Sequence, residues 1–269
     1  MISCFSALEE VMLAMPDRDK VRRAIRYAQG ILGLRKDDVI LTSFPKSGNT
    51  WVRFFFCHVI SLAEWGDRVV DFPTLDRTMP ELGVNNLLLP WQHTTIPRIV
   101  KTHKGCWPIF RNRKSVLVIR DPRDTMVSFF HFENGKKTPR FKGTFSEFIR
   151  SEAFGLERWF RHYRSWVDHC TVLLRYEDLK VDDIAHFRRM LDALSIRMSD
   201  DLLAAAAERS RFGRVKKIER QFGQTKTDRF KADYMFARSG ETGGWHDYFS
   251  NEDLEYYTEL SRKYRLAHY

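Results

Sequence analysis

Cysteine is scarce in this 269-residue chain: there are four, at positions 4, 57, 106 and 170, and no two form a CxxC pair. That spacing excludes a zinc finger or ribbon and a disulfide-dense scaffold. It points to a reduced, cytoplasmic protein. No apolar run approaches the roughly 18 residues of a membrane span. The opening stretch, MISCFSALEEVMLAMPDRDK, carries Glu9, Glu10 and Asp17 and lacks a basic segment followed by an unbroken apolar one, so it does not read as a secretory signal. There is no repeat, no low-complexity linker, no metal-ligand spacing and no nucleic-acid reader motif. Negative charge is also short, with 35 acidic residues against 45 lysines and arginines, a net charge of +10. Such an excess suits an anionic ligand, although a solvated basic surface accounts for the same number.

What is present is a chain long enough for one large α/β domain, 43% hydrophobic. Residues 6–33 read as one or two amphipathic helices, so that residues 1–37 form a helical extension of a single domain spanning 1–269. DDVILTSF is a short buried strand and NTWVRFFFCHVISLAEW a buried helix. Residues 66–95 read as irregular. RIVKTH and KSVLVIR give two further strands, and DPRDTMVSFFHF a helix opened by Asp121 and Pro122. SEFIRSEAFGLERWFRHYRSWVDH reads as one helix and CTVLLRYEDL as a fourth strand. VDDIAHFRRMLDAL and SDDLLAAAAERS are helices with acids in the first turn. Residues 211–243 read as basic and irregular, followed by a last helix from Asn251 to about Tyr264. Strands alternating with helices predict a central parallel sheet flanked by helices, with ligands beyond the carboxyl ends of the strands.

Four clusters fall at those ends. The first is TSFPKSGNTW, residues 42–51. It has the strand–turn–helix setting of a phosphate loop, but Lys46 precedes Gly48, whereas the ATP-binding pattern places lysine after its second glycine. Ser47, Gly48, Asn49 and Thr50 open the helix, where backbone amides and the helix dipole favour an anion. Lys46 adds a point charge, and the Trp51 ring suits stacking on a base or packing in the core. In the second cluster, Arg120 leaves a strand and Ser128 lies two helical turns on, both placed to reach a second phosphate. A surface network of Arg120, Asp121, Arg123 and Asp124 is the plainer alternative, and VLVIRD also suits a strand ending in a magnesium-binding aspartate. The third, RSGETGGW, sets Arg238, Ser239 and Gly240 in a glycine-rich loop fit for backbone contact with an anion or for a plain turn. In the fourth, KTH, alternation puts Lys101 and His103 on one side, and histidine accepts a hydroxyl proton near neutral pH. His58, in the buried helix, reads as packed.

Together these clusters resemble the cytosolic sulfotransferases, which use 3′-phosphoadenosine 5′-phosphosulfate. The likeness runs from about residue 38 to 250. TSFPKSGNTW follows the family's T-Y-P-K-S-G-T-T-W loop. RDPRDTMVSFFHF follows R-N-x-x-D-x-x-V-S-x-x-H-F, with Asp121 where asparagine is common. KTH and YED match the family's catalytic and adenine-contacting segments, and RSGETGGW its C-terminal R-K-G-x-x-G-x-W, with Ser239 replacing lysine. The resemblance implies His103 as general base and Lys46 on the leaving phosphate, with Lys101 on the transferred sulfuryl oxygens. It implies Arg120 and Ser128 on a 3′-phosphate, Tyr176 beside adenine, and Ser210 as an approximate match to a further contact. No metal is required. The acceptor is expected to be a small alcohol, phenol or amine in a pocket walled by Phe72, Trp91, Phe129, Phe132, Phe141, Phe222, Phe230 and Phe236, although packing within their own loops accounts for these rings equally well. Asp67, Asp71, Asp76 and Glu81 suit a cationic acceptor or, more plainly, are solvated loop acids. Neither nucleic acid nor membrane is an expected partner. The family's dimerisation segment is not recognisable in HDYFSNEDLEYY, so the oligomeric state stays open. An ATP-dependent small-molecule or nucleoside kinase is the alternative.

Overall fold

The computed structural model describes residues 18–223 and 227–269; the part of the expected N-terminal helix before residue 18 lies outside them, as does Cys4. In chain order the elements are α1 (Arg18–Leu32), β1 (Val39–Ser43), α2 (Asn49–Glu64), α3 (Phe72–Thr78), β2 (Ile99–Thr102), β3 (Ser115–Ile119), α4 (Pro122–Asn134), α5 (Phe145–Arg150), α6 (Leu156–Val167), β4 (Val172–Arg175), α7 (Tyr176–Val181), α8 (Asp183–Leu194), α9 (Asp200–Ser210), α10 (Phe212–Phe222) and α11 (Asn251–Lys263). The four strands form one parallel sheet in the order β2-β1-β3-β4. Val39 lies beside Ile99, Ile40 beside Ser115 and Val116 beside Val172.

Period-two alternation divides the core into two layers. Val39, Leu41, Val116, Val118 and Leu174 point to one side of the sheet, where they meet Phe55 of α2, Phe187 of α8 and Ala206 of α9. Ile40, Val100, Leu117 and Ile119 point to the other, onto Phe129 of α4, Trp159 and Trp166 of α6 and Tyr257 of α11. Every residue of β1 and β3 is buried, as a parallel strand covered on both faces requires. At the edge of the sheet, Arg98 (4% exposed) forks onto Asp38 (1%) at 2.8 Å and donates to the carbonyls of Gly33 and Leu87. This buried pair ties the end of α1 to the sheet.

Four local expectations are corrected. Residues 66–95 are not wholly irregular: Asp71 caps α3 by accepting from the Thr74 amide at 2.8 Å, and Pro73 sits in the first turn. The long helix expected over 146–169 is two helices. A capping box of Thr144 and Glu147 starts α5, and the chain then folds back so tightly that a Cβ on Gly155 would lie 2.3 Å from the Ile149 carbonyl oxygen. The fourth strand stops at Arg175, and Tyr176 begins α7. Residues 212–222 form α10 despite their basic charge, because Val215 and Glu219 recur on one buried face.

Candidate active site

The carboxyl ends of β1, β2 and β3 and the start of α7 open into one cavity of about 1570 Å³. Fourteen of the fifteen site residues named from the sequence line it: Lys46, Gly48, Asn49, Thr50, Trp51, Lys101, His103, Arg120, Ser128, Tyr176, Ser210, Arg238, Ser239 and Gly240. Ser47 does not. It is fully buried beneath the loop, and its amide donates to the Phe44 carbonyl at 3.3 Å.

The loop after β1 is turned by two left-handed residues, Lys46 at φ 71° and Gly48 at φ 100°. For a lysine this conformation costs on the order of 1–3 kcal/mol. Gly48 is required for space as well: a Cβ there would lie 2.8 Å from the Tyr176 ring. Among the described residues no side chain caps the helix that Gly48 begins; the Trp51 amide donates to the Gly48 carbonyl at 3.0 Å, which leaves the amides of Asn49 and Thr50 without a protein acceptor. Asn49 is 4% exposed, and neither polar atom of its side chain has a protein partner. These groups make an anion cradle.

Lys46 extends over the Phe236 ring, with Nζ 3.6 Å from the centroid and 5.1 Å from that of Phe132. Burial first, then the charge of Arg120, lowers its pKa to about 7; Glu219 raises it and Arg238 lowers it further. A buried ammonium among arginines is stabilised by any anion that enters. Arg120 stacks on Tyr176, 4.8 Å from the ring centroid, and donates to the Glu241 carbonyl at 2.6 Å. Its Nε is buried without a partner. Ser128, half-buried on α4, lies on the same wall. Trp51 meets Tyr176 edge-on at 5.7 Å and Phe187 at 6.4 Å, so the ring both packs and lines the cavity.

The glycine-rich loop 238–245 is held by groups that sequence reasoning did not single out for this. Asp124 accepts from the amides of Gly243 at 2.7 Å and Trp245 at 3.1 Å. Tyr176 donates its hydroxyl to the Gly240 carbonyl at 2.9 Å. Glu219, 4% exposed, accepts from the Phe236 and Ala237 amides at 2.6 and 2.8 Å, which sets Arg238 at the rim. Ser210 is buried and donates to the Ala207 carbonyl at 2.8 Å. Asp121 is committed elsewhere: it caps α4 and binds Arg123 through both oxygens. A magnesium-binding role for the end of β3 therefore lacks a free carboxylate, and the surface-network reading holds for Asp121 and Arg123 but not for Arg120.

His103 follows β2. Its Nδ1 lies 2.7 Å from the Ser43 carbonyl oxygen. A carbonyl only accepts, so Nδ1 carries the proton and Nε2 keeps its lone pair. Burial and then Lys101 lower its pKa to about 4, against the opposing pull of Glu81 and the Ser43 carbonyl. It is thus neutral and able to accept a proton at pH 7. Lys101 is paired with Glu81 at 2.8 Å. His131, the fallback base by sequence position, is bonded to the Tyr248 hydroxyl at 2.6 Å and lies outside the cavity wall. His58 is buried and stacks on Phe54.

Of the expected aromatic walls, Phe72, Phe129, Phe132, Phe230 and Phe236 line the cavity, and so does Phe154, which the sequence did not single out. Trp91 turns away to donate to the Ile96 carbonyl, Phe141 packs on Phe148, and Phe222 is 47% exposed on the surface. The acids are not merely solvated. Asp76 and Glu81 line the cavity, paired with Arg53 and Lys101, while Asp71 caps α3 and Asp67 binds Arg209. Among the described residues no group of three or more His, Cys, Asp or Glu side chains gathers in a metal-binding arrangement, and no helix is long and apolar enough to cross a membrane.

A family model described as Sulfotransferase domain matches residues 36–266. Sulfotransferase 1B1 of Canis lupus familiaris is 26% identical over 253 residues, covering 85% of this chain and 83% of its own. Retinol dehydratase in complex with retinol and PAP superposes with a TM-score of 0.67 at 20% identity, covering 87% of this chain and 82% of that one. Mouse sulfotransferase SULT7A1 complexed with PAP gives 0.62 at 21% identity, covering 91% of both chains.

Proposed function

Since the chain belongs to the sulfotransferase family, we propose that it acts as one domain that moves a sulfuryl group from 3′-phosphoadenosine 5′-phosphosulfate to a hydroxyl or amine of a small molecule, with His103 as general base. The single observation that carries this reading is the pairing, on one cavity, of a histidine of fixed tautomer with a half-buried lysine that sits at a phosphate loop and forms no ion pair among the described residues. The cavity exceeds the roughly 300–1,000 Å³ usual for one ligand, which suits two substrates side by side. Several of this chain's features fit the donor: the uncapped turn at Gly48, the partnerless Asn49 amide, and a second cationic spot at Arg120 with Ser128 for a 3′-phosphate.

The donor supplies an activated sulfuryl group on a phosphate that leaves readily. His103 Nε2 accepts the acceptor's proton as the acceptor atom bonds to sulfur and the bond from sulfur to the 5′-phosphate oxygen breaks. Lys46 and the amides at the start of α2 hold the charge that grows on that oxygen, as preorganised donors do in phosphoryl transfer. Lys101 orients toward the sulfuryl oxygens while Glu81 fixes its ammonium. Tyr176 and Trp51 flank the adenine. A lysine before the glycine suits this donor, because no γ-phosphate has to be held.

The test is transfer from 3′-phosphoadenosine 5′-phosphosulfate to 4-propylphenol in EDTA, beside phosphorylation of the same phenol with ATP and magnesium. Sulfation persisting in EDTA supports the reading. Turnover that appears only with ATP and magnesium would replace it with the kinase reading.

A further inference from the structure

The charges on the cavity wall do not balance. Eleven lysines and arginines line it against four carboxylates. Two of those carboxylates, Asp76 and Glu81, are already neutralised by Arg53 and Lys101, so they offer little to a cationic acceptor. The other two, Glu152 and Asp228, are exposed at the mouth. The donor's phosphates account for Lys46, Arg120 and Arg238. The surplus that remains lies at the opposite end, where the aromatic wall is.

Two arginines stand out there. Arg140 lies 5.2 Å over the Phe154 ring, and Arg158 lies 5.6 Å over Phe44, the residue after the one whose carbonyl orients His103. Arg140 shares Glu133 with Lys136, so one carboxylate serves two cations. Arg158 donates to the Ala153 carbonyl and forms no ion pair among the described residues. Both arginines are exposed and guanidinium does not give up its proton in proteins, so two fixed positive charges on the cavity wall are open to an anion. Lys104 and Lys137, also on the wall, form no ion pair among the described residues and add to the same field.

We propose that the acceptor carries an anionic group as well as its nucleophilic hydroxyl: the ring lies on Phe129 and Phe154, the hydroxyl faces His103, and the anion is read by Arg140 and Arg158 at the mouth. This rests on the sulfotransferase reading for the hydroxyl, but the charge preference stands or falls by itself. It also separates this site from one built for amines: the two wall carboxylates without an ion pair among the described residues, Glu152 and Asp228, are exposed to solvent, and the surplus cations outnumber them.

The probes are three phenols of equal length: 3-(4-hydroxyphenyl)propanoate, 4-propylphenol and 3-(4-hydroxyphenyl)propylamine. Their dissociation constants are measured by calorimetry on the protein with and without adenosine 3′,5′-bisphosphate, together with kcat/KM for sulfation. The propanoate is expected to exceed the amine at least tenfold in both. Arg140→Gln/Arg158→Gln should bring that ratio close to one, and 0.5 M salt should shrink it in the wild type, as screened pairing requires. An amine bound as well as the propanoate, or a ratio untouched in the double variant, overturns the proposal. Failure of the sulfotransferase reading would show separately, as no binding of adenosine 3′,5′-bisphosphate and no transfer to 4-propylphenol. The calorimetric ratio on the unloaded protein decides the charge preference in either case.

Discussion

At the donor end of the cavity, six wall residues come from one decapeptide, residues 42–51, whereas the acceptor end is assembled from Phe72, Phe129, Phe154 and Phe230, spread over more than 150 positions. The first is made by local geometry. A buried strand stops, two left-handed residues turn the chain, and a helix begins uncapped. The second is made by loops that meet only after the sheet has formed. A short motif can therefore specify chemistry, while the identity of the acceptor depends on tertiary placement of side chains that any core might also use.

This contrast predicts that the two ends can be damaged separately. The largest effect is expected from His103→Ala, because the proposed mechanism gives this residue the acceptor's proton and no contact with the donor's phosphates. Turnover should fall on the order of 10²–10⁴-fold, the usual contribution of a positioned base, with adenosine 3′,5′-bisphosphate affinity kept. The fall should be deepest for an alkyl alcohol and smaller for a phenol already ionised at the assay pH. A matching collapse of melting temperature would instead assign His103 to packing.

Next comes Asp124→Ala, which leaves every cavity side chain in place but releases the amides of Gly243 and Trp245. Loss of a carboxylate accepting two buried bonds is worth about 1.5–3 kcal/mol, so donor affinity should weaken roughly ten- to hundredfold by calorimetry. The acceptor KM at saturating donor should stay within about twofold. If both ends suffer alike, the loop 238–245 does not belong to the donor end alone.

The smallest effect is graded with pH. Lys46 has a pKa of about 7 in the free site, lowered mainly by burial. A bound phosphate favours its protonated form and raises that value. Binding is therefore strongest below pH 7 and weakens as pH rises through the free pKa, by up to about tenfold per unit. Lys46→Arg should flatten this slope, since arginine stays charged throughout. His103 adds no loss on the acid side until pH falls toward its own value of about 4. An affinity independent of pH between 6.5 and 8.5 would show that Lys46 does not face the phosphate.

The parallel sheet was legible because β1 and β3 carry the short apolar runs VIL and VLVI without alternating polar residues, and parallel strands buried on both faces read that way. The positions of Lys46, His103, Arg120 and Tyr176 followed, since each comes directly after a strand. What escaped was set by partners remote in sequence. Asp124 read as one member of a surface charge network and Glu219 as part of an irregular basic stretch, until loops more than 110 and about 17 positions away brought their amides to them. Phe154 could not be distinguished from the other 20 phenylalanines, while Phe222, the last residue of α10, is exposed although helix periodicity puts it on the face of Val215 and Glu219. Helix α10 itself was hidden by its lysines and arginines, which sit on the face away from the core.

On the proposed reading, one cavity holds two phosphates at separate places, the loop at Lys46 and the wall at Arg120. Calorimetric titration of wild type and Arg120→Ala with adenosine 3′,5′-bisphosphate and with AMP tests it most directly. Wild type should prefer the bisphosphate, and Arg120→Ala should lose about 1.5–3 kcal/mol for it, the scale of a charge-assisted hydrogen bond, with much less change for AMP. Equal losses for the two nucleotides, or no preference for the bisphosphate in wild type, would contradict the account.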